Sequence, residues 1–420
     1  MTRILLLMLI ASSALAQEAA PAAFFIERIE VRNARRVSPA LIISETLLHE
    51  GTEVSEAQLA AAAARLARLP FLLSTDFALE KGSDRGRHVL VINVVETKPF
   101  FFLVDTRPVL REDHGPSRFE YSDDDFGSES KDAALGFRWF VGRRGIVHVG
   151  VLSQSDRRTF TSHYSAVAAG YTQYDLFGTG AFVTLNARLP EGRWTEGTGS
   201  PQLIAGVPLS ASQTLTLDFQ DTHFRDDTRD IAGVEIPFRD AERLLSLSWT
   251  YNTTNHPFAP TRGTILRVTP LRAMRDRSRV SQVTGGGVVP SARHNNAWGL
   301  DLAASRYWEL SERHAVSAAL VAGWADVEER TVGGFAEGVL RSRPAYQVVR
   351  AGYSRNLWAG QARSGDSRLE LDGRFMTRQL HRDGGDQFGD SDKIYQASIA
   401  WVRRSSWGMA RLGIGYAWGE

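Results

Sequence analysis

The strongest constraint on the fold is a regular alternation of apolar and polar residues in the last three hundred or so positions. In residues 181–189, Val183, Leu185 and Leu189 share one face of an extended chain, while Thr184 and Asn186 lie on the other. The same period of two recurs in residues 213–219, 245–251, 368–375 and 410–418. Because successive side chains of a strand point to opposite sides, this pattern predicts an all-β region.

Two architectures fit such strands. A soluble sandwich would cover each apolar face with a second sheet, whereas a transmembrane barrel would turn those faces to lipid. The barrel is favoured because aromatic residues stand near strand ends, as they do in interfacial girdles. These residues are Trp249, Tyr251, Trp401, Tyr416 and Trp418. We expect an antiparallel transmembrane barrel over residues 118–420, with about twelve strands, an even number and up to about sixteen. An exported binding protein or hydrolase on a sandwich is the alternative.

Residues 1–16 have the features of a secretory signal. Arg3 precedes an apolar run over residues 4–10, and Ala14-Leu15-Ala16 offers a cleavage site. The run is too short for a transmembrane helix. We therefore expect export from the cytoplasm.

Residues 24–98 differ from the rest of the chain. An exposed strand over 24–33 is predicted first, and then a helix opened by Ser38 and Pro39. A second, alanine-rich helix is expected from Ser55 to Leu69 and ends at Pro70. Two strands, 75–80 and 88–95, complete a small α+β domain.

Three motifs lie in the predicted barrel: GYTQYDLFGTG at 170–180, YNTTNHPFAPTRGT at 251–264, and VVRAGY at 348–353. With the strand-helix-helix-strand-strand order of 24–98, they resemble the outer-membrane assembly and secretion superfamily of POTRA-plus-barrel proteins. That superfamily includes the BamA, TamA, two-partner-secretion and bacterial surface antigen families. The resemblance implies a POTRA-like periplasmic domain at 24–98 and places Gly178, Gly180, Pro260, Arg262 and Gly263 in barrel turn motifs.

In this superfamily, the motif at 348–353 belongs to a long extracellular loop that folds back into the lumen. The resemblance therefore implies that Arg350, followed by Gly352 and Tyr353, is a clamp held by an acidic group on the inner wall. The inserted Ala351 is a departure from the family pattern. Candidate acidic partners are Glu370, Asp372 and Asp390; the last stands in a Phe-Gly-Asp sequence that resembles the family motif. Guanidinium and carboxylate form directional, bidentate pairs, which suits such a clamp.

The implied function is insertion of client barrels into the outer membrane, or export of secreted polypeptides across it. An edge of the POTRA-like sheet, 24–31 or 75–80, would capture a client by strand addition. A weak seam between the first and last barrel strands would open, and Gly413 and Gly415 weaken the last strand. Implied partners are unfolded polypeptides, the lipid bilayer, and periplasmic chaperones or lipoproteins. The alternative is a structural or accessory outer-membrane barrel or pore without translocase activity.

No catalytic chemistry is apparent in the sequence. It contains no G-x-S-x-G, H-E-x-x-H or phosphate-binding glycine loop, and its ten histidines show no metal-ligand spacing. The acidic run at 122–127 could be a calcium site or a solvated turn, and the turn is the preferred interpretation. The chain has no cysteine and a net charge of +1. We therefore expect no enzyme activity, no cofactor, no metal and no nucleic-acid partner.

Overall fold

A computed structural model describes residues 23–108, 129–156, 163–190, 200–231, 234–256, 260–282, 288–333, 338–358, 366–382 and 392–419. The predicted signal at 1–16, the acidic run at 122–127 and Asp390 lie outside these ranges. No described helix is both long and apolar enough to cross a membrane.

The first part of the chain folds as an α+β domain. Its elements are β1 (Ala23–Arg32), α1 (Pro39–Thr46), β2 (Thr52–Ser55), α2 (Glu56–Ala67), β3 (Leu72–Lys81) and β4 (Arg87–Glu96). The strand order is β2-β1-β4-β3, with β1 and β4 parallel. The element order predicted from sequence did not include β2, because a four-residue strand between two helices is too short to show an alternating pattern. Assignment of this domain as POTRA-like stays a prediction.

Local signals explain the helices. Pro39 begins α1, but Ser38 makes no side-chain capping bond, contrary to the expectation from sequence. The second helix, α2, does have a side-chain cap. Ser55 and Gln58 form a capping box, in which the Gln58 backbone N–H donates to Ser55 Oγ and the Ser55 backbone N–H donates to Gln58 Oε1. Both helices pack on one face of the sheet through buried aliphatic residues. Among these are Ile26, Leu41, Ile42, Leu66, Leu90 and Ile92.

Fifteen strands of the described residues close a barrel. They are β5 (Phe100–Pro108), β6 (Glu129–Val141), β7 (Gly145–Asp156), β8 (His163–Leu176), β9 (Ala181–Pro190), β10 (Ser200–Ser210), β11 (Gln213–Ile231), β12 (Val234–Asn252), β13 (Gly263–Gln282), β14 (Val288–Ser311), β15 (His314–Gly333), β16 (Gly338–Trp358), β17 (Asp366–Arg382), β18 (Asp392–Ser405) and β19 (Gly408–Gly419).

The expected even strand number is wrong for the described barrel, and so is the first estimate of about twelve strands. Neighbouring strands are antiparallel around the wall, but β19 and β5 close it in parallel. An odd number of alternating strands requires this, because the first and last strands then run in the same direction. The antiparallel barrel is therefore confirmed with one exception, at its seam.

The alternation of apolar and polar residues predicts most of the strands, because the side chains on their outward faces are apolar and exposed. Leu185, Leu217, Leu247, Leu371 and Ile414 all point outward. This continuous apolar outer surface is what a membrane-spanning barrel presents to lipid, and a soluble sandwich would bury it.

Two strands escaped prediction for physical reasons. In β5 an unbroken run of Phe and Leu hides the period of two, and residues 100–104 are all half-buried without alternation. In β16 the inward Val348 is buried, the outward Val349 is exposed, and Arg341 and Arg343 point outward beyond the apolar surface. Because an apolar residue points inward and charged residues point outward, the sequence pattern of this segment predicts a loop and not a barrel strand. The barrel also begins at Phe100, before the expected boundary at 118.

The α+β domain lies at the end of the barrel where the hairpin connections are short. These connections include residues 142–144, 177–180, 211–212 and 406–407. Outer-membrane barrels have short turns on the periplasmic side. On the wall opposite the seam, β11 to β16 are 19 to 24 residues long, whereas β6 to β10 have 10 to 14.

Candidate functional site

The seam between β19 and β5 has the fewest residue pairs of the junctions in the described wall. Residues 408–412 lie opposite residues 102–106, which gives five residue pairs. By contrast, β19 and β18 share twelve pairs. Parallel pairs are also slightly less stable per residue than antiparallel ones. The barrel is thus closed at one place by a short and comparatively weak contact.

Beyond Leu412, β19 pairs with β18 alone among the described strands. Its outward side chains there are unusually exposed: Ile414 is 74% and Tyr416 71% exposed. Gly413 and Gly415 alternate with them and supply no side chain to pack along this stretch. This part of β19 therefore offers little side-chain packing next to the seam.

The α+β domain is packed into the neighbouring mouth of the barrel. Phe71, which is buried, forms edge-to-face contacts with Phe140 and Tyr174 of the barrel, each with ring centroids 5.5 Å apart. Ile146 and Phe182 join the same apolar cluster as the domain core. One continuous core thus joins the domain to β6, β7, β8 and β9.

Arginines add polar links between the two parts. The guanidinium of Arg404, buried on β18, donates to the carbonyl oxygens of Leu72 and Leu73 at 2.8 and 3.2 Å. Arg68 donates from Nη2 to the Asn252 carbonyl at 3.0 Å. Burial, and secondly the charge of Arg65, lowers the pKa of Arg68 to about 10. The domain therefore contacts both the β18 wall next to the seam and the turn after β12.

The predicted turn glycines are where this docking occurs. Gly178 and Gly180 have φ of +73° and +70°, which suits a tight turn between β8 and β9. A Cβ at Gly180 would lie 3.0 Å from Leu47 Cδ2 and 3.2 Å from Pro208 Cγ. A larger residue there would thus press on the docked domain.

The turn between β12 and β13 is held by side-chain hydrogen bonds. Asn255 Oδ1 accepts from the Thr261 and Arg262 amides at 3.1 and 3.3 Å. Gly263 has φ of +110°, and a Cβ there would lie 2.5 Å from the Thr253 carbonyl oxygen. Pro260 is buried and Arg262 is exposed. These predicted motif residues shape turns at the domain end.

A pair of buried carboxylates lies at the contact between domain and barrel. Glu45 lies in the last turn of α1 and Asp175 near the end of β8, and they are 2% and 1% exposed. Arg65 Nη2 donates to Glu45 Oε2 at 2.8 Å, and Arg144 Nη2 is 3.1 Å from Asp175 Oδ2. Burial raises the pKa of Glu45; Arg65 opposes that effect, and the charge of Asp175 adds to it.

The predicted clamp arginine lies in the wall and not at a loop tip. Arg350 is in the middle of β16, paired to β15 and β17, so the predicted loop location is wrong. Its side chain points inward, and Nη2 donates to Asp372 Oδ2 at 3.0 Å. Arg374 Nε donates to the same oxygen at 2.9 Å. Whether this ion pair has the clamp function stays a prediction.

The other clamp candidates are separated from Arg350. Glu370 forms ion pairs with Arg368 and Arg411. Tyr353 points outward and its hydroxyl contacts His314 Nδ1. A Cβ at Gly352 would lie 2.6 Å from Ser317 Oγ, so a larger residue there would require the Ser317 hydroxyl to move.

Sequence reasoning missed the docking residues Phe71, Tyr174 and Arg404. Their only signal was position: Phe71 follows the helix-ending Pro70, Tyr174 lies within the first turn motif, and Arg404 ends a strand. No group of three or more His, Asp or Glu side chains in the described ranges could hold a metal ion.

Comparison with known proteins gives similarity in structure. No family model and no curated protein matches the sequence. BamA from Haemophilus ducreyi, solved without POTRA domains 1–3, is 11% identical with a TM-score of 0.39, over 94% of this chain and 85% of that one. CdiB from Escherichia coli is 13% identical with a TM-score of 0.48, over 94% and 76%. OmpT, an outer-membrane protein of Vibrio cholerae, is 10% identical with a TM-score of 0.31, over 69% and 89%.

BamA and the two-partner-secretion transporter CdiB are members of the superfamily that the sequence motifs resemble. At these identities and TM-scores the likeness is limited to the barrel type of the fold. The functional argument therefore rests on the seam, the docked domain and the outer surface of this chain.

Proposed function

We propose that this chain is an outer-membrane barrel that inserts polypeptides into the outer membrane or passes them across it, with its N-terminal domain in the periplasm. Its clients would be unfolded outer-membrane or secreted polypeptides, delivered with the help of periplasmic chaperones or lipoproteins. The proposed role involves no catalytic reaction. The observation that carries the proposal is the five-pair parallel seam between β19 and β5.

The seam supplies a physical route for a client. An unpaired backbone group in lipid costs several kcal/mol, so an open edge within the membrane favours any strand that can pair with it. Separation of β5 from β19 would expose such an edge along residues 408–412 of β19. An entering client strand would satisfy the exposed backbone groups, and the described part of the seam has five residue pairs to separate.

The domain supports client capture through the edge of its sheet beyond Leu72 and Leu73, whose carbonyl oxygens accept from Arg404. Of the two edges predicted from sequence, β1 is flanked by β2 and β4, so it is not the main edge. The second, β3, ends the sheet and pairs with β4 alone. We propose that β3 takes up an extended client segment by strand addition before the segment reaches the seam.

The alternative is an accessory or structural barrel without translocase activity. Two features favour it: Arg350 lies in the wall instead of in a mobile loop, and the domain is packed firmly into the barrel mouth. A static wall and a covered mouth are what a non-translocating barrel needs.

A disulfide across the seam would distinguish the two functions. Leu103 and Met409 are register partners in β5 and β19, and the native chain has no cysteine to interfere. A strain lacking the protein should show a reduced set of other outer-membrane or secreted proteins by quantitative proteomics. The Leu103→Cys/Met409→Cys variant should restore them when reduced and fail when oxidised.

The matched control is Ala303→Cys/Val321→Cys, a registered pair across the long β14–β15 hairpin. It should restore the proteome whether oxidised or reduced, because that junction is not proposed to open. Full rescue by the oxidised seam variant would reject lateral opening. An unchanged proteome on deletion would instead favour the accessory barrel.

A further inference from the structure

The outer wall carries tryptophans at two levels. Trp308 and Trp407 lie towards the domain end, and Trp298 and Trp324 lie towards the far end of the apolar surface; all four are exposed. Aromatic girdles of this kind mark the two membrane–water boundaries of a barrel. The far girdle should therefore lie at the headgroups of the distal leaflet.

Arg272 is an outward-facing cation at the far girdle. Its register partners are Leu245 on β12 and Trp298 on β14, both exposed on the outer surface. The guanidinium carbon lies 4.8 Å from the centroid of the Trp298 ring. Arg272 Nε is buried and has no hydrogen-bond partner among the described groups.

Neighbouring outward cations are paired with acids, whereas no described carboxylate pairs with Arg272. Arg341 lies 2.9 Å from Glu328, Arg343 lies 3.8 Å from Asp326, and Arg243 lies 3.6 Å from Asp221. Each of these acids is paired with its own arginine, and none of them forms an ion pair with Arg272. Its positive charge is therefore held against an aromatic ring and left for an external anion.

The height of Arg272 fits a lipid headgroup. It is nine residues along β13 from Gly263, which lies at the domain end. At about 3.3 Å per residue and a strand tilt of about 40°, this corresponds to a height of roughly 23 Å, close to the apolar band of about 25 Å. A charge facing lipid costs little at such a boundary, and phosphate is the anion found there.

We propose that Arg272, backed by Trp298, is a binding site for the phosphate of an anionic lipid in the distal leaflet. The guanidinium offers several N–H donors in a plane, which suits phosphate oxygens, and the ring holds that plane in place. Leu247 and Leu302, which are exposed on the neighbouring strands nearer the domain end, provide apolar surface for the attached acyl chain. The inference requires only that the barrel is embedded in a membrane and is independent of the proposed translocation.

Native mass spectrometry of the full chain in an uncharged maltoside detergent tests this site. The probes are lysophosphatidic acid, a monoacylglycerol with the same acyl chain, and inorganic phosphate. Lysophosphatidic acid should bind the unaltered protein, and Arg272→Gln should weaken that binding about tenfold, the loss expected for one charged hydrogen-bonding partner. Arg341→Gln is the matched control and should bind normally, because Arg341 is already paired with Glu328.

Because Arg272 lies on the outer surface, its substitution should leave barrel folding intact, which heat-modifiable gel migration will confirm for each variant. Three results would overturn the proposal. They are unchanged binding by Arg272→Gln, equal binding of the uncharged monoacylglycerol, and inorganic phosphate binding as tightly as the lysolipid. The last would identify a simple anion site instead of a lipid site.

Discussion

At the scale of single residues, the inner wall of β16, β17 and β19 is organised by arginines that share carboxylates. Asp372 accepts from both Arg350 and Arg374, and Glu370 is paired with Arg368 and Arg411. Sequence resemblance selected Arg350 and included Asp372 among its partners. It misplaced the pair because the matching motif belongs to a loop in the family and to a strand here.

The shared arrangement predicts unequal effects of removing the two partners. Arg350→Ala leaves Asp372 bonded to Arg374 and should destabilise the barrel by about 1 kcal/mol. Asp372→Asn deprives two arginines of their acid and should cost more. The free energy of unfolding is measured with urea in lipid or detergent micelles for each single variant and for the double variant. The double-mutant cycle then gives the coupling energy between Arg350 and Asp372. The control Arg341→Ala breaks an exposed pair and should change stability by roughly 0–1 kcal/mol; zero coupling for Arg350 and Asp372 would contradict the prediction.

At the scale of elements, α1 and the turn after β8 form the contact between the domain and the barrel mouth. The elements were largely predictable from sequence, since capping residues and prolines mark their ends. Their docking was not, because it brings together Glu45 and Asp175, which are far apart in the sequence and resemble ordinary surface acids. Burial of both carboxylates beside Arg65 and Arg144 appears only once the domain and barrel are assembled.

This contact should be sensitive to pH. Because burial raises the pKa of Glu45, the docked form binds a proton more tightly than an undocked form with an ordinary carboxyl pKa. Docking should therefore be favoured at acidic pH and weaken as the pH rises through the raised pKa. Glu45→Gln, which is permanently uncharged, should remove that dependence.

Distances between spin labels can measure this effect, since the native chain has no cysteine. One label replaces the exposed Asp76 on β3 and the other replaces Glu312 in the turn between β14 and β15. Between about pH 5 and pH 8, the distance distribution should broaden in the parent and stay constant in Glu45→Gln. A parent distribution that narrows on raising the pH would contradict the assigned direction of the pKa shift.

At the scale of the whole molecule, alternation predicted the barrel because the outward residues of most strands must be apolar while the inward ones need not be. The same rule failed for β5 and β16, where an unbroken apolar run and an inverted pattern of faces hide the period of two. The parallel seam could not be predicted, because it depends on the parity of the strand count, and a single missed strand reverses that parity. A site formed by the first and last strands of the barrel is thus the part that local sequence pattern predicts least well.

The placement of the two barrel ends makes a final prediction about orientation. If the short connections and the docked domain lie in the periplasm, the extended strands β11 to β16 rise on the cell surface. A cysteine at Arg341, beyond the far girdle, should react with a membrane-impermeant maleimide on intact cells. A cysteine at Glu312, in a domain-end turn, should react only after the outer membrane is permeabilised. Both side chains are exposed in the structure, so access to each depends on the membrane alone. The opposite labelling pattern would invert the orientation and place the N-terminal domain outside the periplasm, where β3 could not receive a client before export.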